Sequence, residues 1–210
     1  MRRKVQSTGQ RRPLAMAVLA GLALLAPPAL APSALAPSAL AQSTQPAAIT
    51  APPPAEPEGY RLDAYRAPVP ATLSGARVLD AAAAAELWRK GGIAFVDVLP
   101  RPPKPANLPP GTVWRDPPHS TIPGAVWLPN VGFGAINADT EAYFRAGLSA
   151  VTRGDVNAPL VIFCQRDCWM SWNAAKRAMS YGYRNVSWFP TGVDGWGETG
   201  LPLEVVEPHP

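Results

Sequence analysis

Cys164 and Cys168 are the only cysteines in the 210-residue chain, and three residues, Gln165, Arg166 and Asp167, separate them. Cys164 follows directly on the apolar run Leu160-Val161-Ile162-Phe163, which reads as a buried strand. Residues 170–180 carry the Ala, Met and Lys content of a helix, and Gly182 stops it. A thiol between a strand and a helix N-terminus meets the unpaired N–H groups of the first turn and the positive end of the helix dipole. Both favour the thiolate, the form of sulfur that attacks and ligates. Arg166 adds a cation to the same loop. Cys164 and Arg166 are therefore the candidate catalytic residues, and Gln165, Asp167, Cys168, Trp169 and Met170 form the candidate substrate-binding loop. A bond between cysteines this close excludes little chain and stabilises little, so a reactive or ligating pair is the better starting point.

The flanking elements follow from pattern and punctuation. Asp80 caps a helix predicted over Ala81 to Lys90, ended by Gly91-Gly92. Ile93 to Val98 reads as a buried strand closing on an acid, Asp97, which is placed beside the cysteine loop as a supporting residue. Pro100 to Pro118 is too rich in proline for regular structure. Ala125 to Leu128 is a short strand, Asp139 to about Val151 a helix, and Val186 to Phe189 a further strand. Alternating helices and short apolar strands predict an α/β domain with a mainly parallel central sheet flanked by helices. The turn at Cys164 then lies at the carboxyl edge of that sheet, where open α/β folds place ligands. Trp127 and Trp188 fall in strand patterns and are assigned to the core, while Trp169, Trp172 and Trp196 are expected to wall a pocket.

The first 41 residues read differently. A basic start (Arg2, Arg3, Lys4, Arg11, Arg12), an apolar run from Leu14 to Leu25 and small residues ending in Ala39-Leu40-Ala41 make a secretory signal. The apolar run is short for a membrane span and is cut by Pro27-Pro28, so the processed chain is not expected to be transmembrane. Residues 42–59, rich in Pro, Ala, Ser and Thr, are assigned to a disordered linker, and 60–207 to the single domain. The whole chain has 19 Lys+Arg against 15 Asp+Glu; removing the five in the leader leaves 14 against 15. The basic balance thus belongs to the leader, and no polybasic surface is left for nucleic acid. Phosphate loop, serine triad and dinucleotide fingerprint are all missing from the sequence, and it implies no cofactor. Export to a periplasm places the two cysteines where a disulfide can persist.

With those residues in view, the sequence resembles the rhodanese family. Phe95-Val96-Asp97-Val98 is similar to the family's first core strand, and Thr121-Ile122-Pro123-Gly124-Ala125 to its His-Ile-Pro-Gly-Ala turn with the histidine replaced. Val161-Ile162-Phe163-Cys164 with Ala174-Ala175 resembles the strand, active cysteine and following helix. Gly192-Val193-Asp194-Gly195-Trp196 with Leu201-Pro202-Leu203 resembles the closing segment. The resemblance implies a single rhodanese-like domain in which Cys164 carries sulfane sulfur as a persulfide. The arginine and serine that the family usually carries five and six residues after the cysteine are Trp169 and Met170 here, which leaves Arg166 as the cation of the loop. The string from Cys164 to Trp169 resembles a narrower group of periplasmic proteins with a cysteine–tryptophan motif. That group is associated with catabolism by pyrroloquinoline-quinone (PQQ)-dependent alcohol dehydrogenases, and it implies a quinoprotein dehydrogenase or cytochrome system as partner.

Four functions remain open at this point. The first is sulfur transfer to or from a small sulfur-containing or thiol substrate, with Cys168 resolving the persulfide. The second is thiol–disulfide exchange through the pair. The third is a soft metal such as Cu(I) held by Cys164, Cys168 and His119 or Met170. The fourth is a rhodanese-fold binding module without catalysis. The leader makes one prediction of its own: N-terminal sequencing of the exported protein should begin near Gln42, and a chain still starting at Met1 would refute the cleavage.

Overall fold

The computed structural model describes residues 52–210, so the leader and the first part of the linker lie outside the described residues. Its elements run β1 (Arg77–Val78), α1 (Ala81–Lys90), β2 (Ala94–Asp97), β3 (His119–Thr121), β4 (Val126–Trp127) and α2 (Ala138–Thr152). They continue through β5 (Leu160–Phe163), α3 (Trp169–Ser180), β6 (Val186–Phe189), α4 (Gly192–Glu198) and β7 (Glu204–Val206). Helix starts follow capping chemistry. The Asp80 carboxylate accepts from the Ala83 N–H at 2.7 Å, and the Asn137 side chain accepts from Thr140 N–H at 2.8 Å. Gly91, at φ 71°, closes α1.

Five strands form one sheet in the order β1-β6-β5-β2-β4, and every pairing is parallel. The α/β class with a parallel centre is thus as the sequence predicts. β5 sits in the middle, which is why all four of its residues are apolar and buried. Alternate residues leave opposite faces of the sheet. Val96, Val98, Ile162 and Trp188 meet Phe144 and Leu148 of α2 and Trp172 and Ala175 of α3. On the other face Phe95, Val161, Phe163 and Phe189 meet Ala84 and Ala85 of α1 and Trp196 of α4. β3 and β7 pair antiparallel as a small second sheet, with Ser120 opposite Val205.

The structure adds to the sequence reading or departs from it in three places. The glycine-rich segment at 192–198 is helical; Gly192, at φ 46°, and Gly195 lie so close to the Cys164 backbone and the Thr191 side chain that a Cβ has no room. Trp172 and Trp196 are wholly buried and Trp169 nearly so, so these rings are core and not the walls of an open pocket. Their indole N–H groups donate to the carbonyls of Thr72, Pro202 and Pro68, which removes the polar cost of burial. The third departure concerns the segment expected to be linker up to residue 59. Lys176 Nζ donates to the carbonyls of Pro57, Glu58 and Gly59, at 3.0, 2.6 and 3.1 Å, and Glu56 binds Thr72 and the Ser74 N–H. The Thr72 hydroxyl, followed by that amide, holds the Glu56 carboxyl below its usual range.

From this anchor residues 56–73 run as a strap along α3. Asn173 receives the Arg61 N–H at 2.9 Å and donates to the Arg61 and Gly132 carbonyls. The buried Arg177 donates to the carbonyls of Val131, Phe133 and Gly134 and lies over the Tyr60 ring at 4.3 Å. One prediction follows from the packing at Gly192. Gly192→Ala forces the Cys164 carbonyl away and strains a left-handed residue, so unfolding should become easier by about 2 kcal/mol or more. Urea denaturation checks this; an unchanged midpoint would show that the contact is slack.

Candidate functional site

The loop from Cys164 to Cys168 is built between two main-chain clamps. At its start the Phe163 carbonyl accepts from Val98 N–H at 2.9 Å, and the Cys164 carbonyl accepts from Val193 N–H at 3.0 Å. At its end residues 65–67 of the strap form an antiparallel bridge: Ala67 N–H donates to Asp167 O at 3.1 Å and Trp169 N–H to Tyr65 O at 2.9 Å. Asp167 turns the chain with φ 52°, a left-handed value that aspartate tolerates better than most residues. Between these clamps Cys164 and Cys168 are joined as a disulfide, with Cα atoms 6.4 Å apart, and both are buried at 0% and 2% exposure.

The expected ring of free donors is therefore partly occupied. Trp169 N–H serves the strap, Ser171 N–H bonds to the Cys168 carbonyl at 3.3 Å, and Arg166 N–H donates to Asp194 at 3.0 Å. Cys168 is the residue preceding α3 and supplies no side-chain cap. Cys164, Cys168, Trp169 and Met170 share one apolar cluster on the α2–α3 face of the sheet. Gln165 and Arg166 are half-buried and Asp167 is exposed. The Arg166 guanidinium points to α4, where it pairs with Glu198 at 2.6 Å on the surface. The structure thus gathers Cys164, Cys168, Trp169 and Met170, and turns the Arg166 charge toward a carboxylate.

Asp97 lies at the same sheet edge, its backbone in register with Phe163. Its side chain leaves the opposite face, the one that carries Phe95 and Phe163, and so parts company with Cys164. There it is fully buried. One carboxylate oxygen accepts from His119 Nε2–H at 2.8 Å and from the Thr121 hydroxyl at 2.6 Å, and the other from Leu99 N–H at 2.9 Å. Thr121 occupies the position where the resembling family has its histidine, and His119 arrives from two residues upstream. His119 is consequently buried and stacked on Trp127, with ring centroids 4.1 Å apart. It does not join the cysteines: no three His, Cys, Asp or Glu side chains converge as a metal site among the described residues.

A cavity of about 510 Å³ opens beside the loop, walled by Gln165, Arg66, His119 and Trp127 and by prolines of the 100–118 segment. Arg66 is a residue that sequence reasoning misses. It comes from the strap, and its Nη1 donates to the Arg166 carbonyl at 2.9 Å, so it places a cation against the cysteine loop from 100 residues away. Tyr60 and Tyr65 are the only aromatics between 60 and 70, and no helix or strand period announces that this segment packs.

No protein-family model matches the sequence, and no curated protein matches it. Among solved structures the chain is similar to a thiosulfate sulfurtransferase from Pseudomonas aeruginosa, with a TM-score of 0.42 and 13% identity over 63% of this chain and 21% of that one. It is also similar to an uncharacterized protein from Saccharomyces cerevisiae, with a TM-score of 0.36 and 18% identity over 60% of this chain and 95% of that one. The chain thus spans a minor part of the bacterial protein and nearly all of the yeast one.

The buried carboxylate gives this site its own test. Asp97→Asn exchanges an acceptor of three hydrogen bonds for an amide that faces at least one donor, and leaves buried groups poorly matched. The variant should lose about 1–3 kcal/mol of stability, read from the urea midpoint. An unchanged midpoint would show that His119 and Thr121 find other partners.

Proposed function

We propose that the protein is a rhodanese-like, exported protein that handles sulfane sulfur through Cys164, with Cys168 as the resolving thiol. The observation that carries this reading is the bonded pair itself, set across the strand-to-helix turn at the carboxyl edge of a parallel sheet. In the reduced protein the Cys164 thiolate takes the outer sulfur of a sulfane donor, and the rest of the donor leaves with the electron pair of the broken S–S bond. The Cys168 thiolate then attacks the Cys164 sulfur of the persulfide. The Cys164–Cys168 bond forms and hydrosulfide departs, so atoms and charge balance. A dithiol reductant returns two electrons and two protons to restart the cycle. On this reading the disulfide is the product state of sulfur release.

The resemblance of the loop from Cys164 to Trp169 supports a narrower setting. It is a periplasmic accessory role in PQQ-dependent alcohol catabolism, alongside a quinoprotein dehydrogenase or its cytochrome partner. Arg166 keeps a share in this proposal as the loop's own cation, although Glu198 must release it before it can meet an oxyanion. The same bonded pair favours a second reading, thiol–disulfide exchange with a partner protein.

Mass spectrometry of reduced protein exposed to thiosulfate or polysulfide separates the two. Under sulfur transfer, Cys168→Ser accumulates one extra sulfur atom on Cys164, and Cys164→Ser acquires none. Under exchange, the Cys168→Ser variant instead traps mixed disulfides with periplasmic proteins. Persulfide forming equally in Cys164→Ser would overturn the assignment of Cys164.

A further inference from the structure

The cavity beside the cysteine loop has a composition that points to a ligand. Arg66, Arg101, Gln165 and His119 bring polar side chains to it, Leu99 and Trp127 are apolar, and the remaining wall is five prolines at 100, 102, 103, 117 and 118. Two arginines, a glutamine and a histidine therefore contribute to the wall, and no acidic residue lines it. Two acids stand outside the lining: buried Asp97, spent on His119, Thr121 and Leu99 N–H behind the wall, and Asp116, which makes a loose surface ion pair with one Arg101 nitrogen at 3.4 Å and leaves the others free of described partners. Arg66 spends one nitrogen on the Arg166 carbonyl, and its other guanidinium N–H groups bond no described residue. The Gln165 side chain makes no hydrogen bond to a described residue, so its amide is available as well.

Volume and stiffness narrow the ligand further. About 510 Å³ lies in the range of sites for small organic molecules, and it is far larger than a bare inorganic oxyanion fills. Prolines hold φ fixed, so a wall built of them is already ordered and loses little freedom when a ligand arrives. Apolar walls give a hydrophobic body somewhere to lie, while the arginines at the rim call for negative charge. A buried anchor sits beneath: His119 is locked by Asp97 through Nε2 and stacked on Trp127, so the floor is fixed as well.

We propose that this cavity is a binding site for a small organic anion, one with an aromatic or branched apolar body and a single carboxylate or sulfonate. Arg66 and Arg101 bind the charged group, and the proline and tryptophan wall takes the body. Gln165 is the only residue of the 164–168 loop in the lining, so a bound molecule touches the loop immediately after Cys164. The site stands on the lining residues alone and does not depend on which sulfur chemistry the cysteines perform.

Titration calorimetry on the oxidised full-length protein tests this with benzenesulfonate as the probe, against sulfate and benzyl alcohol. Benzenesulfonate should bind, and sulfate and benzyl alcohol should each bind at least about tenfold more weakly, since each lacks one of the two interactions. Arg66→Gln and Arg101→Gln should each weaken benzenesulfonate about tenfold. Arg115→Gln, on the same proline-rich segment but outside the lining, should leave binding unchanged. No benzenesulfonate binding, equal binding of sulfate or benzyl alcohol, or indifference to both arginine changes overturns the proposal.

Discussion

Everything at the candidate site depends on how the backbone on either side of the cysteines is held. The Cys164 carbonyl is taken by Val193 N–H, across a gap that only a glycine at 192 permits. The far end is taken by the strap, through bonds of Asp167 and Trp169 to Ala67 and Tyr65. Neither clamp belongs to the loop itself. The first comes from the chain after β6 and the second from the chain before β1, so the geometry of five residues is set by segments from both ends of the domain. This is why the pair can sit in a short turn and still be fixed.

Much of this was legible in the sequence where local rules act alone. Asp80 and Gly91 bracket α1, four apolar residues name β5 as central, and the proline content of 100–118 excludes regular structure there. What was not legible is what depends on distant partners. β3 and β7 are too short to signal anything until they meet each other. The helix at 192–198 contains glycines that propensity counts against it, and tertiary crowding against Cys164 and Thr191 requires them there. Trp169, Trp172 and Trp196 could be seen as aromatic, but their burial depends on carbonyls from residues 68, 72 and 202. His119 shows most clearly what sequence reading lacks: nothing near it in the chain reveals that Asp97 waits at the end of β2, in the other sheet.

The two faces of the sheet divide the labour at its carboxyl edge. Cys164 and Cys168 pack among the side chains of α3, while Asp97, His119 and Thr121 form a closed polar knot on the other side. A buried carboxylate with this many donors is satisfied and rigid. The strand that carries it is tied to the cysteine loop by backbone, through the bond from Val98 N–H to the Phe163 carbonyl, and not by direct contact of the carboxylate with the cysteines. Gln165 and Arg66 lie where these two halves meet.

The strap carries a consequence for the order in which the molecule is made. Its residues leave the ribosome first, yet the surface they cover, including the Arg166 carbonyl that Arg66 binds, is synthesised 100 residues later. Contacts so far apart in the chain carry a large loop-closure cost and form late. The bonds from Ala67 to Asp167 and from Trp169 to Tyr65 are of this kind, so the far end of the cysteine loop acquires its final form only when backbone made long before it returns to dock.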